Sequence, residues 1–102
     1  MANFNKMLKQ MQQLQQELMK KQDEVKTLEV TGESAGGLVK VTANCAMEIK
    51  RIDIDDEIWK ENDKDMLADL VAAAVNTALS SAQEKMNDEL SGLTGGMNIP
   101  GM

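Results

Sequence analysis

The chain has 102 residues, a formal charge of −6, one cysteine and no histidine, which excludes a disulfide within the chain, histidine acid–base catalysis and the usual zinc sites. That length is one domain, and with Phe4 and Trp59 as its only aromatics it has little bulk for a core or for stacking on bases. No apolar run approaches the roughly 18 residues that span a bilayer, and the first ten residues lack a signal peptide's apolar stretch, so a cytoplasmic protein is expected.

Residues 4–26 are mostly Lys, Gln, Met, Leu and Glu, with no Gly or Pro. These are good helix formers, and Asn3 or Asn5 is a candidate cap. Phe4, Met7, Met11, Leu14, Leu18, Lys21, Val25 and Leu28 recur at 3–4 spacing, apolar except for Lys21. That stripe fits either the seam of a short coiled coil or an amphipathic helix lying on a sheet. Met7, Met11 and Met19 read as packing rather than as an adaptable groove. A helix of this length reaches about 34 Å at 1.5 Å per residue, longer than a small domain needs, so part of it should project. Residues 1–22 carry Lys6, Lys9, Lys20 and Lys21 against Glu17, a net +3, which makes a mildly basic arm.

Three runs rich in β-branched residues follow within residues 28–54, separated by turn signals at Ser34-Ala35-Gly36-Gly37 and Asn44-Cys45. Alternation puts Val39, Val41 and Ala43 on one face, with Leu38, Lys40 and Thr42 on the other. Gly36-Gly37 has neither dinucleotide-fingerprint nor P-loop spacing and reads as a hairpin turn. Cys45 has no base to activate it. It is either a strained turn residue or a sign that the turn exceeds two residues. A three-stranded meander buries one face and leaves two open edges, so a second copy of the chain is expected.

Residues 48–69 hold nine acids against four bases, a net −5. Asp53, Asp55, Asp56 and Glu57 superficially suggest a hard-cation site, but the EF-hand spacing, glycine and distal glutamate are missing. Acids at the start of a short helical turn are the better account. No metal, cofactor, catalytic group or small-molecule substrate is expected, and hence no enzyme. Asn62 or Asp63 caps a second long helix over residues 64–90, with Asp65 in a capping-box-like position. It carries a broad apolar stripe and small residues, Ala72, Ala73, Ala74 and Ala78, that admit another backbone. Leu67, Leu70, Val71, Ala74, Val75 and Ala78 are its candidate dimer contacts. Residues 92–102 read as a flexible Gly-rich tail behind a single domain of residues 1–91. The fold class is α+β, in the order α-β-β-β-α.

Taken together these residues resemble the YbaB/EbfC family of nucleoid-associated DNA-binding proteins. The likeness is densest at Val30-Thr31-Gly32-Glu33, at 37–42, at Ile54-Asp55, at 63–67 and at 69–76, and Leu93-Thr94-Gly95-Gly96 also fits. Cys45 stands where the family usually has Gly, and Asp56 where it often has Pro. The resemblance implies a tweezer-like homodimer whose helices project as arms, nucleoid localisation, and duplex binding with little sequence preference that alters DNA conformation. Lys6, Lys9, Gln10, Gln13, Gln16, Lys20, Lys21 and Lys85 are the candidate DNA contacts. Two arms with four lysines each give up to eight cationic contacts and a log–log salt slope of about −4 to −7. The alternative is a dimeric protein-interaction module that grips a partner helix with its exposed Met/Leu stripe.

Overall fold

A computed structural model describes residues 2–94. Its elements are α1 (Ala2–Lys26), β1 (Glu29–Ser34), a 3-10 turn (Ala35–Gly37), β2 (Val39–Asn44), β3 (Ile49–Ile54), the short α2 (Asp56–Lys60) and α3 (Lys64–Thr94). The order α-β-β-β-α stands, with a helical turn inserted at the acidic run. Asn3 and Asn5 lie inside α1 rather than ahead of it. Asp63 caps α3, its carboxylate accepting the Met66 N–H at 3.0 Å, and Asp55 caps α2 by accepting from the Glu57 N–H at 2.9 Å. The third helix passes through Gly92 to Thr94, four residues beyond the expected end. One glycine in a helix costs about 1 kcal/mol, too little to stop a helix of this length. Residues 95–102, the remainder of the expected tail, lie outside the described residues.

The strands form a meander with β2 in the centre and both pairs antiparallel. Val30 faces Ala43, Gly32 faces Val41 and Ser34 faces Val39. Across the second pair, Val39 faces Ile54 and Val41 faces Ile52. One sheet face is therefore apolar. The other carries the crosswise row Glu33–Lys40–Asp53 and the row Thr31–Thr42–Arg51. A bulge lets Ala43 pair with Ile49 rather than Lys50, so Ile49 and Ile52 share the apolar face although three residues apart.

The third helix lies across the apolar face of β1 and β2, where Val39, Val41, Ala43, Ala74 and Ala78 are fully buried together. Small side chains permit this approach, and Gly32 permits it most of all. A Cβ added there would collide with the backbone nitrogen of Ala78 and the carbonyl oxygen of Ala74. The Ser34 hydroxyl adds a cross-tie, donating to the Leu70 carbonyl at 2.6 Å. Ala74 and Ala78 are thus spent inside the chain's own core rather than left for a partner.

Both turns rest on left-handed backbone. Ala35, Gly36 and Gly37 take φ of 53°, 66° and 94°, and the glycines adopt such angles without a Cβ penalty. In the second turn the positive φ falls on Met47 (64°), not on Cys45. The turn exceeds two residues, and Asn44 organises it. Its side-chain oxygen accepts from the N–H groups of Ala46 and Glu48 at 2.9 and 3.1 Å, and its amide donates to the Glu48 carboxylate at 3.0 Å. Cys45 is buried, and its N–H donates to the Leu28 carbonyl at 3.0 Å. Of the two readings of this residue, the longer turn holds.

Gly32→Ala should cost about 3 kcal/mol in urea unfolding, since rigid backbone rather than a flexible side chain receives the new atom. Gly36→Ala, which meets nothing but takes a left-handed φ, should cost only about 1 kcal/mol. The reverse order would show that the β1–α3 approach is not the tight point of the fold. Cys45 should react with a thiol reagent only on unfolding, as its burial demands; rapid modification of the native protein would place it elsewhere.

Candidate nucleic-acid interface

Among the described residues, only the last turns of α1 touch the other elements. Val25 is buried, Leu18 is half-buried, and Gln22, Val25 and Lys26 line a small depression with Met86 and Leu90 of α3. Residues 3–17 are all exposed. The molecule measures 74 × 28 × 16 Å with a radius of gyration of 20.3 Å, against about 13 Å for a compact domain of this length. The projecting arm follows from the sequence: its apolar stripe runs the full helix, while only the final turns find the body.

At 3.6 residues per turn, Lys6, Lys9, Gln10, Gln13, Gln16 and Lys20 fall within an arc of about 120° on α1. All six are exposed. Among the described residues, Lys6, Lys9 and Lys20 take part in no ion pair. Glu17 falls in the same arc, so the positive charge is concentrated beyond it, at Lys6 and Lys9. The face pairs flexible cations with amide donors and has no acid in its outer half. It suits a row of phosphate oxygens, which accept hydrogen bonds and carry no base identity.

Lys21 and Lys85 are placed differently. Lys21 Nζ lies 3.6 Å from one oxygen of Glu89, and Lys85 Nζ lies 4.0 Å from the other. Both lysines are half-buried at the α1–α3 junction, where they share one carboxylate. Of the eight candidate contacts, six therefore lie together on the arm and two are tied down at its root.

The acidic middle is handled locally. Asp55 is a helix cap, Asp56 and Glu57 fill the first turn of α2, and Asp53 pairs with Arg51 at 2.9 Å. No group of three or more metal-ligating side chains occurs among the described residues, and no helix there is long and apolar enough to cross a membrane.

A second surface was missed in the sequence. The third helix covers β1 and β2 but not β3, which leaves Ile49 and Ile52 exposed on the apolar face (39% and 43%), with Trp59 of α2 nearby in sequence and 66% exposed. Leu67, Leu70, Val71 and Val75, expected as partner contacts, are half-buried. The bulge that brings Ile49 onto the same face as Ile52 hides this surface from a simple alternation, and nothing in the sequence says how many strands one helix can roof.

Comparison with known proteins agrees with this architecture. The profile of the YbaB/EbfC DNA-binding family matches residues 1–97. A nucleoid-associated protein, TTE0040, of Caldanaerobacter subterraneus subsp. tengcongensis is 46% identical over 100 residues, covering 98% of this chain and 90% of the relative. The crystal structure of the uncharacterized protein HP0035 from Helicobacter pylori superposes with a TM-score of 0.69 at 21% identity, covering 88% of this chain and 95% of that one. At that identity the likeness bears on the fold alone.

Proposed function

Because the chain belongs to the YbaB/EbfC DNA-binding family, a family of nucleic-acid binders rather than enzymes, we propose that it binds duplex DNA of the nucleoid as a homodimer, through the lysine–glutamine face of its projecting arm. The observation that carries this reading is the arm itself: Lys6, Lys9 and Lys20 share one exposed face, unpaired, on a helix that leaves the acidic body behind. Contacts of this kind hold the backbone and give little sequence preference. Two arms set at an angle would grip or bend a duplex, altering its conformation and, through it, transcription.

The homodimer is argued from exposed apolar surface. Ile49 and Ile52 lie uncovered on β3 and Trp59 is exposed on α2, while Leu67, Leu70, Val71 and Val75 of α3 are half-buried. A second copy laid over β3 would cover the part of the sheet face that α3 leaves open. The interface draws on β3 as well as α3, and not on Ala74 or Ala78. The protein-interaction alternative draws on a different face of the arm, the exposed Met/Leu stripe, so the two readings separate by mutation.

With Lys21 and Lys85 engaged by Glu89, two arms offer six free lysines. The salt dependence of binding to random duplex should therefore have a log–log slope no steeper than about −5. In a mobility-shift series, Lys6→Glu with Lys9→Glu should abolish the shift at moderate salt while leaving the circular dichroism spectrum unchanged. A flat salt response, or a shift that survives both substitutions, would contradict phosphate contact by the arm. Separately, Ile52→Asp should drive the assembly towards single chains in sedimentation velocity without unfolding them; an unchanged mass would remove β3 from the interface.

A further inference from the structure

The arm has a second face that phosphate contact does not use. Phe4, Met7, Met11 and Leu14 are 66%, 57%, 63% and 51% exposed, and they continue the stripe that ends in buried Val25. On the helix this row is centred about 140° from the centre of the lysine–glutamine arc. Such a stripe is costly to leave in water on a stretch of helix that has no packing partner among the described residues.

We infer that this stripe is a self-association surface, taken by the same stripe of a second copy of the chain as a short helix pair. The chemistry beside the seam identifies the occupant. With Phe4 and Met11 at a positions and Met7 and Leu14 at d, the flanking e and g positions along the exposed stretch are Asn3, Leu8, Gln10, Gln15 and Glu17. Flanking charges set partner choice in helix pairs, and the four beside Phe4–Leu14 are uncharged; Glu17, one turn further in, faces Gln22 of the other helix in a parallel pair. Two identical stripes therefore meet without like-charge repulsion, and Gln10 and Gln15 can exchange amide hydrogen bonds. A stripe built for a foreign helix of either charge would carry the complementary charge here. Lys6 and Lys9 occupy the c and f positions and stay outside the pair, so pairing leaves them free.

The contact is distinct from the β3 flank. Leu67 and Glu89, the latter beside the root of the arm, are 22 residues apart on α3, about 33 Å along the helix axis. Two chains joined through the body can thus use their arms to reach another such pair. A seam of four apolar residues per helix is short, and isolated helices of this length are marginal, so the pairing is weak alone and strengthens when several arms engage together. On duplex DNA it would join neighbouring or separate segments. That consequence rests on the DNA reading, whereas the pairing does not.

The test uses the full chain without DNA. Met11→Cys treated with a short bismaleimide should give a covalent two-chain product, while Gln16→Cys, on the opposite face, and wild type, whose Cys45 is buried, should not. Adding Met7→Gln and Leu14→Gln to Met11→Cys should abolish the product. Both positions are solvent-exposed and Gln is a good helix former, so the fold is kept. Met7→Gln, Met11→Gln and Leu14→Gln together should remove any species larger than two chains seen in sedimentation velocity at rising concentration. Persistence of the Met11→Cys product in an Ile52→Asp background separates arm pairing from the body interface. Absence of the product, or an equal yield from Gln16→Cys, overturns the proposal. So does blockage of Met11→Cys alkylation by duplex with no crosslink, which would give the stripe to DNA.

Discussion

The close approach of β1 to α3 at Gly32 decides the rest of the architecture. Where backbone meets backbone, with Ala74 and Ala78 on the helix and no Cβ on the strand, the helix is held over β1 and β2. One helix at normal spacing is about 10 Å wide, roughly two strands at their spacing of nearly 5 Å. The third strand is left unroofed as a result, which exposes Ile49 and Ile52. The same seating leaves the far end of α3 standing clear of the sheet, where Met86, Glu89 and Leu90 meet the root of α1. A bulky residue at position 32 would therefore act on the sheet, the β3 flank and the arm's support together.

Much of this was legible in the sequence because it is written in local chemistry. Helix-forming composition without Gly or Pro defined α1, period-two alternation oriented β2, and Asp63 stood where a cap belongs. The arm's projection followed from length alone. Less legible were features set by tertiary distance. Whether Ala74 and Ala78 face a partner or the chain's own sheet depends on Gly32, 42 residues earlier than Ala74 in the chain. The extra residue at Lys50, which realigns Ile49, shows only in the pairing register. At the arm's root, Lys21 stood out in the sequence as the one polar residue of the apolar stripe, but only the return of α3 brings Glu89 to it. Cys45 shows the limit of turn chemistry: the residue that needs positive φ is Met47, two places on, because Asn44 folds a longer turn around its own side chain.

Ion pairing at the arm's root has a structural consequence that its modest energy conceals. Half-exposed pairs of this kind contribute roughly 0–1 kcal/mol each. Yet Glu89 lies between Lys21 of α1 and Lys85 of α3, an ion pair to each, at the junction where the arm leaves the body. A carboxylate shared in this way restrains direction more than it adds stability. It also withdraws two cations from any ligand, so the free charge moves outward to Lys6 and Lys9.

That outward placement explains how a chain of net charge −6 can hold a polyanion. Charges separated by more than a Debye length, about 8 Å at physiological ionic strength, are largely screened from one another. From Lys26, at the root of the arm, to Lys6 is 20 residues, about 30 Å along the helix. The acidic run at α2 and the start of α3 lies at the other end of a 31-residue helix and is farther still. A duplex placed at the arm's tip would therefore meet Lys6 and Lys9 at contact distance, while the acids of the body would act through several screening lengths. Had the same lysines been spread over the sheet, the acids beside them would have cancelled their field. The long helix thus serves electrostatics as well as reach: it separates the two signs of charge far enough for salt to keep them independent.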